Sequence, residues 1–209
     1  MTDKRAAFAG VFTRYVPQEA VSWCVDRVFE HAIQVKITRS RNSKLGDYRH
    51  PFGGKGHRIT INHDLNPFTF LVVYAHEVAH LLCWVQHRNQ VSPHGREWQT
   101  IFSELLRELI ALQCFPDEIS GYLRRRGNTL AASSCADSEL YELLRNYDKP
   151  NSLVLLKDIP QGGYFKMKGG RVFQKGPRQR TRYKCLEQGV PGLYLIHETA
   201  EVLPVFVSK

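Results

Sequence analysis

His76-Glu77-Val78-Ala79-His80 decides how this chain is read. On an α-helix, residues i and i+4 project from one face, so His76 and His80 can aim ring nitrogens at a single divalent ion. Glu77 sits beside the first histidine, where its carboxylate can reach a water on that ion and act as general base. Zinc suits this set, because imidazole is a favoured ligand and a catalytic site keeps one coordination position open. The plainer alternative is a helix that carries two ordinarily hydrogen-bonded histidines.

The surroundings favour a buried ligand pair. Residues 68–85 are apolar on nearly every side except at His76, Glu77 and His80, and a helix of that kind lies in a protein core. A membrane span fits poorly, since a charged group at mid-helix costs about 2.5 to 3.5 kcal/mol on insertion scales. Ionisable groups buried in protein are instead paired or bound to metal. Asn66-Pro67 opens the helix with proline in the first turn, where its missing N–H costs least.

A third ligand must come from downstream. His87 is seven residues beyond His80, about 10.5 Å along a continuing helix, too far to close the same tetrahedron. His94 follows a break at 89–93 and opens a second amphipathic helix marked by Trp98, Ile101, Phe102, Leu105, Leu106, Leu109 and Ile110. Glu97 and Glu104 on that helix are the alternatives to His94.

His76-Glu77-Val78-Ala79-His80-Leu81-Leu82 followed by Ser92-Pro93-His94-Gly95-Arg96-Glu97-Trp98 resembles the joined HExxH and PHGxxW motifs of the SprT-like metalloproteases, the family that includes Spartan. The resemblance spans roughly residues 17 to 112. It implies a zincin-like catalytic domain of α+β class, one catalytic zinc on His76, His80 and His94, and Glu77 as catalytic base. It also implies substrates that are proteins bound or crosslinked to DNA, with DNA switching activity on.

Outside the motif, Ile33, Val35 and Ile37, then Ile59 and Ile61, alternate with polar residues and predict two half-buried strands. Residues 44–56, rich in glycine and charge, read as a long exposed loop. If the second strand is a sheet edge beside the metal, an extended peptide can pair with it. Residues 17–32 carry Val21, Cys24, Val25, Val28 and Phe29 at helical spacing and should pack on the sheet. Further helices are expected near 116–125 and 137–147, joined by a loop over 127–134.

The character of the chain changes near residue 150, which divides it into a catalytic domain, 1–149, and a small antiparallel β module, 150–209. Candidate strands are 153–157, 164–167, 171–174, 180–186, 193–197 and 200–207, with turns at Gly162-Gly163, Gly169-Gly170, Lys175-Gly176-Pro177 and 189–192. Many SprT-like proteins carry a zinc ribbon here, which needs two cysteine pairs. Cys185 is the only cysteine after residue 150, so a ribbon is excluded on ligand count.

The chain has 29 Lys and Arg against 20 Asp and Glu, a formal charge of +9. Between 157 and 184 the bases include Lys175 and Lys184, and Asp158 is the only acid. Lys166, Lys168, Arg171, Arg178, Arg180 and Arg182, interleaved with Tyr164, Phe165, Phe173 and Tyr183, are the candidate nucleic-acid contacts, through phosphates and base stacking. A solvated basic face is the alternative. Arg124-Arg125-Arg126 reads as a helix end interacting with its own carbonyls. The cysteines Cys24, Cys83, Cys114, Cys135 and Cys185 are odd in number, scattered and without a CxxC pair, which predicts reduced thiols.

Together these features predict a zinc metallopeptidase acting on protein or peptide substrates, with DNA, single-stranded or duplex, as a partner and no membrane. Tyr74 is one available hydroxyl for the oxyanion. The expected location is the cytoplasm, or the nucleoid if the chain binds DNA. The reading from a different class is a nucleic-acid-associated adaptor with a non-catalytic zinc site, against which a complete HExxH argues.

Overall fold

The computed structural model describes residues 2–41, 44–127 and 137–205. Its contacts divide the chain into a unit ending at Asp148 and a unit beginning at Lys149. Most of the loop expected at 127–134, Cys135 and the last residues of the strand expected at 200–207 lie outside the described residues.

The first unit runs α1 (Thr2–Phe12), α2 (Val21–Glu30), β1 (Gln34–Thr38), β2 (Gly46–Arg49), β3 (Arg58–Asn62), α3 (Pro67–His87), α4 (Arg96–Ala111), α5 (Asp117–Arg126) and α6 (Ser138–Arg145). At its centre is α3, which is long and apolar enough to cross a membrane by length and composition, yet 61% of its apolar window is buried inside the fold. It is a core helix. Asn66 caps it: the side-chain oxygen accepts from the N–H groups of Phe68 and Thr69, and the amide donates to Leu144 O at 2.9 Å and Asp148 at 2.6 Å. Every apolar position predicted for the second helix, from Trp98 to Ile110, is buried on α4. The ring contacts of α2 run to its helical neighbours, Phe29 against Phe8 of α1 and Trp23 against Tyr74 of α3.

The sheet order is β1-β3-β2, with β1 parallel and β2 antiparallel to β3. Two expectations are corrected here. The strand at 58–62 is central, so it offers no free edge. The open edge beside α3 is β2, formed within the stretch expected to be a loop, while Gly53 and Gly54, at φ 58° and 76°, turn the chain across the Phe52–Lys55 bridge. Asn62 holds β2 in place: its N–H donates to Leu45 O, and its buried amide donates to the carbonyls of Arg41 and Lys44.

The second unit is a six-stranded antiparallel sheet of β4 (Val154–Leu155), β5 (Tyr164–Lys166), β6 (Val172–Gln179), β7 (Arg182–Glu187), β8 (Leu193–His197) and β9 (Glu201–Val205), in the order β4-β9-β5-β6-β7-β8. Phe165, Phe173, Cys185 and Val202 close its small core with Leu156 and Ile159. The turn expected at Lys175-Gly176-Pro177 is instead an irregularity inside β6, where the register shifts between Lys175 and Arg178. A side chain at Gly176 would collide with the carbonyl of Lys184. That close approach explains the glycine. The chain reverses further on, at Arg180, with φ 55°.

Candidate metal centre

Helix α3 places His76 and His80 on one face, and the turn before α4 returns His94 to them. The three Nε2 atoms form a triangle: 3.0 Å from His80 to His76, 2.9 Å from His80 to His94 and 3.2 Å from His94 to His76. Each imidazole nitrogen carries one N–H or one lone pair, so three aimed at one point cannot satisfy one another. A cation between them can accept all three. Tetrahedral ligation at 2.0–2.1 Å sets ligand nitrogens about 3.3 Å apart, close to the distances found. The donor set therefore fits a metal ion, and among the described residues no other group of three or more His, Cys, Asp or Glu side chains does so. Glu97 and Glu104 are not part of the cluster.

The turn is built for this return. His94 has φ 58°, a left-handed conformation that a non-glycine side chain adopts at a cost. A Cβ on Gly95 would come within 2.9 Å of Ser92 O. The buried Trp98 lies against all three imidazoles, with centroids 4.7 Å from His76, 5.3 Å from His80 and 4.7 Å from His94. Burial, reinforced by the neighbouring rings, drops His76 to about 3 and His80 to about 4, and burial lowers His94 as well. All three are neutral at pH 7, as ligands must be.

Glu77 is 6% exposed. Burial, with the nearby Asp47 charge, pushes its pKa up to about 8, against a hydrogen bond from the Tyr48 N–H and the charges of Lys44 and Arg41. Asp47 is itself held low: burial opposes this, but the hydrogen bonds and charges of Lys44 and Arg49 prevail. Glycine at 46 leaves room for the carboxylate, for a Cβ there would lie 2.5 Å from Glu77 Oε1. Next to the cluster, a cleft of about 300 Å³ is lined by Tyr48, His50, His80, Trp84, Arg88 and His94, among others.

Several expectations change. Tyr74 is fully buried and donates to Cys24 O at 3.1 Å, which removes it as an oxyanion donor. Arg126 pairs with Asp137 rather than acting only at its helix end. In the β module, Lys175 is buried, and its ammonium donates to Lys157 O at 2.9 Å and Ile159 O at 2.5 Å. It is a structural residue, not a phosphate contact. Among the six candidate contacts, Arg171 grips Glu187, Arg178 meets Glu198 at 2.5 Å and Lys168 lies 3.6 Å from Glu201. Lys166, Arg180 and Arg182 are exposed and make no ion pair among the described residues. The cleft residues Tyr48, His50 and Trp84 carry no motif that sequence reading could have used.

Residues 18–114 match the model of the SprT-like family. No curated protein matches the chain, and no solved structure does. The matched stretch contains the histidine cluster, Glu77 and Trp98. Residues 18–114 are therefore similar to the SprT-like family, and this segment is a metalloprotease-like domain.

Proposed function

We propose that this chain is a zinc-dependent metallopeptidase. The observation that carries the reading is the Nε2 triangle of His76, His80 and His94, with every separation at or below 3.2 Å, on the helix that also bears a buried carboxylate. Zinc held there would supply Lewis acidity, acidifying water and polarising a peptide carbonyl. Glu77 takes the proton from the attacking water and returns it to the leaving amine, and burial raises the proton affinity of its carboxylate, which favours a base. The Tyr48 N–H donates to this carboxylate, and the absent side chain at Gly46 leaves it room.

An extended substrate pairs with β2. Leu45 bonds to Asn62, and the register pairs Asp47 with Thr60, so Gly46 between them directs its N–H and C=O away from β3, while the outward Tyr48 N–H is held by Glu77. Methylating substrate amides near the scissile bond should slow cleavage, and unchanged cleavage removes this docking. The substrates we infer are proteins on DNA, a reading supported by the family match and by the exposed Lys166, Arg180 and Arg182.

The test is digestion of casein and of a DNA-bound protein, with and without single-stranded DNA, by the wild type and by Glu77→Gln, alongside metal analysis. Zinc in both forms with turnover only in the wild type supports the proposal. Equal turnover by the two forms overturns the mechanism, and binding without cleavage under every condition supports an adaptor.

A further inference from the structure

The cleft beside the histidine cluster contains a cation that the reaction does not use. Arg88 ends α3, is exposed, and holds its guanidinium 4.1 Å above the Trp84 ring. Stacking occupies the face of a guanidinium and leaves its N–H edges free for a bidentate anion. Among the described residues Arg88 forms no ion pair, and no Asp or Glu lines the cleft. His50 lies parallel to Trp84, at 5.4 Å and 2°, and its Nδ1 donates to Pro51 O at 3.0 Å. His57 meets the same indole edge-on at 5.3 Å and is bonded to the Tyr48 hydroxyl at 2.9 Å. Trp84 is thereby fixed from the sheet side, and the guanidinium rests on a prearranged platform.

The backbone adds an independent observation. Arg88 has φ 55° and ψ −130°, and the corresponding cap of α5 has nearly the same angles, 47° and −125°, but is Gly127. This conformation is natural to glycine and strained for any residue with a Cβ. Glycine meets the helix-capping need at α5, so arginine at α3 keeps strain that the fold alone does not require.

We propose that this cleft is a subsite for an acidic side chain of the peptide substrate, with Arg88 the specificity-determining residue and Trp84 its platform. The inference rests on the peptidase reading, because the subsite borders His80 and His94 in the same cleft. A carboxylate at one substrate position bonds the guanidinium edge while the peptide crosses the metal centre.

The experiment uses the full-length, zinc-loaded Glu77→Gln protein and the Glu77→Gln, Arg88→Gly double variant. A fluorescent parent peptide is varied so that Glu or Gln stands at each position in turn, with binding read by anisotropy. At one position Glu should bind about fivefold or more tightly than Gln, with the ratio near one in the double variant. Because Arg88→Gly relieves strain, its unfolding midpoint should be unchanged or higher, which separates lost recognition from lost folding. No peptide binding, no Glu preference, or a preference that survives Arg88→Gly overturns the proposal. So does a loss of single-stranded oligonucleotide binding on Arg88→Gly with peptide binding intact, which assigns the guanidinium to phosphate. Selective binding without wild-type cleavage sinks only the peptidase reading.

Discussion

Gly46 of the edge strand and Glu77 of the core helix occupy adjoining space so closely that one added carbon cannot fit. A Cβ at position 46 would meet Glu77 Oε1 at 2.5 Å, Val73 Cγ1 at 2.7 Å and Glu77 Cγ at 2.9 Å. Val73 is buried and β-branched, so it cannot give way, and the carboxylate must move. Gly46→Ala should therefore lower kcat/KM by at least about tenfold, since small displacements of a catalytic group are costly. The histidines are untouched, so metal content should equal that of the wild type. Loss of metal with activity would show that Gly46 supports the whole site instead.

The histidine cluster sets a pH dependence. Burial and neighbouring rings depress His76 to about 3 and His80 to about 4, and burial lowers His94, whereas an unfolded histidine titrates near about 6.5. Below that value the unfolded chain binds more protons than the folded one, so stability falls with pH. The window runs from about 6.5 down towards the folded values. Glu77, raised to about 8, holds its proton in the fold over this range and opposes the effect, so the metal-free Glu77→Gln protein should melt at least about 5 °C lower at pH 5 than at pH 7. Metal affinity should weaken over the same interval, because protons compete for the same lone pairs. Equal melting of this apo variant at both pH values would contradict the burial of neutral imidazoles.

How much of this was legible depends on the range of the interaction. His76 and His80 face one point because of helical periodicity, a local property, and Asn66-Pro67 marks the helix start equally locally. His94 was reachable only through the joined motif, since spacing alone left Glu97 and Glu104 open. Strand β2 was missed because Gly46-Asp47-Tyr48-Arg49 shows no apolar alternation; pairing with β3 and the Asn62 hydrogen bonds make it a strand. Helix α1 is not legible for a similar reason, its apolar residues lacking a clear stripe. Charge alone does not tell which cations of the basic stripe carry partners, for Arg171 and Glu187 are distant in sequence but joined across the sheet.

Asn66 makes hydrogen bonds in both directions, to the N–H groups of Phe68 and Thr69 and to Leu144 O and Asp148. Asn66→Ala removes an N-cap, worth about 1 kcal/mol, and the two side-chain hydrogen bonds to Leu144 O and Asp148, together worth about 1 to 3 kcal/mol. Chemical denaturation should show a loss of about 2 to 4 kcal/mol. Asn66→Ser keeps a capping oxygen but loses the amide donor, without setting a second carboxylate against Asp148, and should fall between the wild type and Asn66→Ala. An Asn66→Ser variant as unstable as Asn66→Ala would assign the effect to the donor side alone.

The division of the basic residues predicts unequal effects on nucleic-acid binding. Arg171 and Arg178 are committed to Glu187 and Glu198, whereas Lys166, Arg180 and Arg182 are exposed without an ion pair among the described residues. A cation that contacts phosphate contributes to counterion release, so each removed contact should reduce the slope of log K against log salt by about 0.7 for a single strand. Lys166→Ala, Arg180→Ala and Arg182→Ala should each show that reduction in a salt titration by anisotropy. Arg171→Ala also frees the Glu187 carboxylate, so it should weaken binding through added negative charge and, by the bidentate pair it breaks, loosen the β6–β7 region as well. A slope unchanged by all three exposed variants would mean that this sheet face is solvated rather than used for nucleic acid.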